Sequence, residues 1–166
     1  MKTVSARLLV LLGFVSLAAG CGGPTPPPGV EAGTTTSGPV VDKLKDFGDY
    51  TVHFSAITTD LLTPEVARQY NLVRSKSRAM LNVSVRRDEE GTIGVAVPGK
   101  VMVKVTNLTG QLKSLELRQI TEGEAIYYIG DLSVANGEVL IFDIDVTPNG
   151  ESDPLSVKYQ QKFVTD

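Results

Sequence analysis

The sequence predicts an all-β chain, an immunoglobulin-like antiparallel β-sandwich of about seven strands with one short helix. Two observations carry the prediction. From Phe47 onward, short runs rich in Val, Ile, Tyr and Phe alternate with clusters of Gly, Pro, Asn and Asp, which is the spacing of strands and their turns. Within those runs apolar residues recur at every second position, the period of a strand with one buried face. A body of about 120 residues buries roughly two-thirds of its unfolded surface, enough for stability without a metal or disulfide.

The first strand is expected between Phe47 and Thr58, with Tyr50, Val52, Phe54 and Ala56 on one face. A helix of about two turns follows. Thr63 caps it, Pro64 occupies a first position where no donor is missed, Glu65 suits the positive N-terminal end, and Asn71 tolerates the left-handed conformation that ends it. It is expected to close one end of the sandwich between the first two strands. Leu81, Val83 and Val85 share a face of the second strand, and a turn near Asp88 to Gly91 leads back through Ile93, Val95 and Val97. Pro98-Gly99 interrupts the pattern as an edge, a bulge or a crossing between sheets, because proline cannot donate to a central ladder. Val101, Val103 and Val105 resume it, Asn107 to Gly110 turns it, and Leu115 and Leu117 carry the next strand.

Around Ala135-Asn136-Gly137 the pattern predicts a hairpin. A three-residue loop with Gly137 left-handed places Ile126, Tyr128, Gly130, Leu132 and Val134 on the face of Leu140, Phe142, Ile144 and Val146. Asp131, Asp143 and Asp145 then point outward beside Tyr127, Ile129 and Ile141. Apolar residues on both sides of this pair imply a cover, either the rest of the domain or a protein partner. A last strand runs from Leu155 to Thr165.

The N-terminus carries an address. Lys2 and Arg7 supply positive charge ahead of and at the start of an apolar run, Leu8 to Ala19, that is short for a permanent membrane span. The run ends in Leu17-Ala18-Ala19-Gly20-Cys21, which resembles the lipobox of bacterial lipoproteins, with Ala18 where leucine is most usual. Residues 1–20 are thus expected to be a signal peptide and Cys21 the site of lipidation; the alternative is an ordinary secreted protein with an incidental Cys21. Acyl chains contribute about 0.8 kcal/mol per buried methylene, so two or more anchor a protein stably. Gly22 stands where an aspartate would resemble an inner-membrane retention signal, which favours the outer membrane with the body facing the periplasm. Residues 21–42 are expected to be a lipid-anchored tether rich in Pro, Gly and Thr, since so few apolar groups cannot offset the entropy of ordering. Residues 43–166 remain as the sandwich.

Phe47-Gly48-Asp49-Tyr50, Val52-His53-Phe54, Leu62-Thr63-Pro64-Glu65-Val66-Ala67, Tyr70, Arg74-Ser75-Lys76-Ser77-Arg78, Asn82-Val83-Ser84-Val85 and Ala125-Ile126-Tyr127-Tyr128-Ile129 together resemble a bacterial family known only as domain of unknown function 4426. Asn71, where the family pattern is similar to glycine, and Phe54, where it resembles tyrosine, depart from it. The resemblance implies an exported, β-rich domain and no particular activity.

The 16 basic residues lose Lys2 and Arg7 with the leader and the 19 acidic ones lose none, for a mature charge of about −5 that argues against nucleic-acid binding. Against that background Arg74, Lys76 and Arg78 form a candidate binding site. In extended geometry they make one basic row for an anionic ligand or envelope protein, or else a solvated strand edge protected by charge. His53 is the single histidine and argues against a metal site or a catalytic triad. Ser75, Ser77 and Lys76 lack the Ser-x-x-Lys spacing of serine-lysine chemistry. Asp143 and Asp145 suit an acid-base pair less well than plain surface charge. Asn82-Val83-Ser84 and Asn107-Leu108-Thr109 fit a glycosylation pattern that a bacterial lipoprotein does not use. No cofactor is implied. The sequence therefore points to a non-catalytic binding or accessory module of the cell envelope, with a structural or assembly subunit of an envelope complex as the alternative.

Overall fold

The computed structural model describes residues 43–165. Cys21 and the segments expected to be a signal peptide (1–20) and a tether (21–42) lie outside the described residues. Two antiparallel sheets face each other. The larger runs in the order β1 (Lys43–Asp46), β2 (Tyr50–Thr58), β3 (Arg78–Arg87), β8 (Ala125–Ser133) and β7 (Arg118–Glu122), with β4 (Val95–Ala96) paired to β3 off that path. The smaller runs β10 (Leu155–Lys162), β9 (Val139–Pro148), β5 (Gly99–Asn107) and β6 (Leu112–Lys113). The strand-rich reading thus holds, and three additional strands are short pieces of two to four residues.

The inner faces follow the expected alternation. Val52, Phe54 and Ala56 of β2 and Leu81, Val83 and Val85 of β3 meet Leu140, Phe142, Ile144 and Val146 of β9 in one core, joined by Val157 and Tyr159 of β10. Tyr159 bridges the layers, with its ring centroid 5.2 Å from that of Phe54 and 5.7 Å from that of Phe142.

The expected β8/β9 hairpin is corrected. Gly137 is left-handed, with φ 75°, and Ile126, Tyr128, Leu132 and Val134 do face the core. However, β8 pairs with β3 and β7, whereas β9 pairs with β5 and β10. An inward stripe on each of two successive strands satisfies both edge-to-edge pairing and apposition across a core, so alternation alone does not separate the two. The chain crosses between sheets here, and the single outward face expected from the hairpin is divided between opposite sides of the sandwich.

Two further crossings rest on glycine. Pro98-Gly99 is the passage from β4 in one sheet to β5 in the other. A Cβ on Gly99 would meet the Thr147 carbonyl oxygen at 2.6 Å. The Tyr128 hydroxyl fixes this point from the opposite sheet, accepting from the Gly99 amide and donating to its carbonyl, both at 2.7 Å. The return passage, residues 114–117, lies over Gly130, where a Cβ would meet the Glu116 carbonyl at 2.5 Å. Leu115 and Leu117 consequently pack on the core from this connection and are not in the strand expected of them; β7 begins at Arg118. Likewise, the strand expected through Ile93, Val95 and Val97 shrinks to the two residues of β4, and Ile93 is 86% exposed.

Helix α1 (Pro64–Gln69) has the expected cap, with the Val66 amide donating to Thr63 Oγ1 at 3.3 Å, and Asn71 ends it at φ 49°. Its position is corrected. Leu62, Ala67 and Leu72 pack with Met80 and Ile129, which alternate out of the main core, so the helical segment covers the outer face of the larger sheet and does not plug an end. Ile57, Ile120 and Tyr127 complete this second cluster, and the cover over Tyr127 and Ile129 is therefore the chain itself.

Gly99→Ala should lower stability by roughly 1–3 kcal/mol, because the obstructing atoms are backbone and cannot rotate away. Tyr128→Phe, which removes both hydrogen bonds while keeping the ring, should cost about 1–2 kcal/mol. Urea unfolding checks both, with the midpoint falling and the slope unchanged; a wild-type midpoint for Gly99→Ala would contradict the assigned crossing.

Candidate binding surface

The segment between α1 and β3 is held from beneath by Thr59. Its buried hydroxyl shares its proton between the carbonyls of Val73 (2.7 Å) and Ser75 (3.1 Å) and accepts from the Ser75 amide at 2.9 Å. Ser75 Oγ in turn accepts from the Ser77 amide at 3.1 Å. These bonds set a turn at Lys76–Ser77, which takes Arg74, Lys76 and Arg78 out of the single extended row that alternation predicts. Arg74 donates to the Asp60 carbonyl at 2.7 Å. Arg78, the first residue of β3, donates through Nε to Asp131 Oδ2 at 2.8 Å and pairs with the same carboxylate through Nη2. Lys76 is exposed on the turn between them. The three cations thus mark one corner, but Arg78 already has its counter-charge.

Other ionisable groups are similarly engaged. Lys158 pairs with Asp143 at 3.2 Å, and Ser156 Oγ donates to Asp145 at 2.6 Å, so the two aspartates are separately bound within the exposed face of the smaller sheet. Lys113 donates to both oxygens of Glu138 at 2.8 Å, and the Ala135 amide donates to the same carboxylate at 2.9 Å. Tyr70 donates to Glu122 at 3.0 Å; burial, then this bond, pushes its phenol up to about 12. His53 sits on the outer face of β2, opposite Ser84 of β3 and Leu44 of β1. Among the described residues no three His, Cys, Asp or Glu side chains gather as metal ligands, and no helix is long and apolar enough to cross a membrane.

What alternation did not anticipate is a rim of exposed apolar residues. Ile93 stands between two open grooves, with Leu44 at 61% and Val95 at 41% exposure on either side. The larger groove, about 680 Å³, runs between Ile93 and Val95 on one wall and Glu122, Glu124 and Ala125 on the other, with Arg86 below. The smaller, about 360 Å³, is lined by Leu44, His53, Asp88 and Ile93. The only sequence signal for this surface is the apolar Ile93 beside Gly91 and Gly94, which reads equally well as a strand.

A family model described as domain of unknown function (DUF4426) matches residues 44–166. The chain belongs to that family. None of the curated proteins matches it. Among solved structures, a DUF4426 family protein from Pseudomonas aeruginosa PAO1 is similar at 30% identity and TM-score 0.63, covering 75% of this chain and 96% of its own. FetP from uropathogenic Escherichia coli strain F11, recombinantly expressed in the periplasm of E. coli, shares the fold at 12% identity and TM-score 0.53, covering 74% of this chain and 93% of its own. A copper-bound variant of FetP shares it at 10% identity and TM-score 0.50, covering 75% and 90%. The family supplies a fold and no activity.

Glu138 gives a pH dependence. Burial works upward on its carboxyl, but hydrogen bonds from Lys113 and the Ala135 amide outweigh it and hold the pKa below its ordinary value. A depressed folded pKa contributes stability that is present above the unfolded value, about 4.3, and lost as pH falls through the folded one. Glu138→Gln should therefore be less stable than wild type at neutral pH, and the gap should narrow in acid below about pH 4. Thermal melts of both proteins across that range check the sign, and a gap that widens in acid contradicts it.

Proposed function

We propose that this DUF4426 protein is a lipid-anchored, non-catalytic binding or accessory module of the bacterial envelope, held at the outer membrane through Cys21 and facing the periplasm. The observation that carries the binding role is a contrast on the surface. Three of its acidic groups are taken up in ion pairs, Asp143 with Lys158, Glu138 with Lys113 and Asp131 with Arg78. Large apolar side chains, in contrast, stand exposed together at Leu44, Ile93 and Val95, where they line open grooves. Apolar groups concentrated beside a concavity are the usual mark of an interaction site. The leader and its lipobox-like end support the address.

The anchor is tested by mass spectrometry of the native protein. The expected species starts at an acylated Cys21, and Cys21→Ser should leave the leader uncut; an unmodified thiol or a retained leader in the wild type overturns the anchoring. A role for the basic corner is tested at Lys76, because Arg78 holds Asp131 and Arg74 holds the Asp60 carbonyl. Lys76→Glu should weaken co-sedimentation with anionic vesicles or peptidoglycan several-fold and leave the melting temperature nearly unchanged, as expected for an exposed substitution. Unchanged co-sedimentation removes Lys76 from the binding role.

A further inference from the structure

The larger sheet contains a slot between unpaired strand edges. Strand β3 pairs with β8 only as far as Val83 opposite Tyr128, and the same edge of β3 is taken up by β4 at Arg86 and Arg87, with the Val97 amide donating to the Val85 carbonyl at 3.1 Å. Beyond that divide, Ala125 to Tyr127 of β8 pair with β7 on one edge and, among the described residues, have no strand ladder on the other. Val95 and Ala96 of β4 pair with β3 and have no second strand partner among the described residues. The groove of about 680 Å³ lies between these edges. Its walls differ in chemistry: Ile93 and Val95 are apolar on one side, while Glu122 and Glu124 are acidic on the other. Glu122 is engaged by Tyr70 and Gln69, whereas Glu124 is exposed on the β7–β8 turn. Arg86 at the base turns its guanidinium to the Ile93 carbonyl at 3.2 Å.

We infer that this slot takes an extended polypeptide segment by strand addition, with an apolar side chain against Ile93 and Val95 and a lysine or arginine against Glu124. Unpaired edges supply main-chain donors and acceptors to the segment, whose side chains alternate between the two faces of the sheet and meet there the side chains of the flanking strands and turns. The inference rests on the binding-module reading above and names its partner class. A basic partner complements Glu124, whereas an acidic one would place like charges together at a cost.

The mature full chain is titrated with a short peptide alternating valine with lysine, followed by amide NMR and hydrogen exchange. Binding should slow exchange at Val95, Ala96 and Ala125 to Tyr127. The same peptide with alternate amides N-methylated should lose binding, and a valine-glutamate peptide should bind roughly tenfold more weakly. Glu124→Lys, an exposed change that leaves the core untouched, should reverse that charge preference. Equal binding by the N-methylated peptide, protection elsewhere on the domain, or no binding by any peptide overturns the inference. A photo-crosslinker placed in cells at Leu44, in the neighbouring groove, or at Val95 separates the two levels. A partner captured from Leu44 and never from Val95 overturns the slot while the binding-module reading stands; no partner from either position overturns both.

Discussion

Strand β3 is enclosed on both faces and both edges, and the remaining architecture follows from that enclosure. Its inner residues Ala79, Leu81, Val83 and Val85 are buried in the main core, and its outer Met80 and Ser84 are buried as well. One face alone would be ordinary for a sandwich strand with a solvated exterior. Burying Met80 on the second face requires a cover, and among the described residues the connection from β2 supplies it with Leu62, Ala67 and Leu72. The helix is short because it needs only to lay these few apolar groups over Met80 and Ile129. Each large side chain so buried contributes roughly 1.5–3 kcal/mol, whereas the Thr63 cap contributes about 1 kcal/mol. The cap sets where the helix starts, and the cluster beneath holds it in place.

That ordering of magnitudes explains which features could be read from the sequence. Inner faces were legible because alternation over Val52, Phe54 and Ala56, or over Leu140, Phe142, Ile144 and Val146, reports burial directly. The cap at Thr63, the proline at the first helical position and the left-handed Asn71 and Gly137 were legible for a different reason: each reflects a local backbone requirement. Sheet membership was not legible. The β8–β9 connection carries a turn residue and two apolar stripes whether it makes a hairpin or a crossing, and nothing local distinguishes them. The deciding contacts are remote, such as the Gly137 amide donating to the Phe163 carbonyl at 2.8 Å and the Val134 amide to the Ser77 carbonyl at 2.9 Å.

The candidate site divides in the same way. The cluster of positive charge at Arg74, Lys76 and Arg78 is visible as composition, and its placement near one corner follows from chain proximity. Its meaning changes with two contacts that have no sequence signature, the Thr59 hydroxyl that imposes a turn and the Asp131 carboxylate that neutralises Arg78 across 53 positions of chain. Asp131 itself, expected as an outward surface charge, is the partner that makes one cation of the three structural. The Ile93 rim went unseen because the exposed Ile93 and the half-buried strand isoleucine it resembles have the same neighbours in sequence.

Sheet edges invite unwanted pairing, and this domain blocks each of its outer ones by a different device. At one side Lys45 of β1 donates to the Ser156 carbonyl of β10 at 2.9 Å while Lys43 sits 4.5 Å above the Tyr159 ring, so the two sheets are tied together along that rim. At the other, Arg118 of β7 donates to the Tyr70 carbonyl and Glu122 receives Tyr70 and Gln69, which fastens the helix along the edge strand. The last, β6, has only two residues and is anchored by Lys113 on Glu138. The gap between β4 and β8 differs from all of these because it lies inside the sheet, where β3 changes partner. Among the described residues no lysine or helix lies over it, and its exposed Ile93 and Val95 are the residue types that edge protection ordinarily excludes. Exposed apolar residues also stand on the outer strands, at Leu44 of β1 and Leu112 of β6, but there the strand is tied to its neighbours by Lys45 or Lys113, whereas Ile93 and Val95 border an opening between two strand edges.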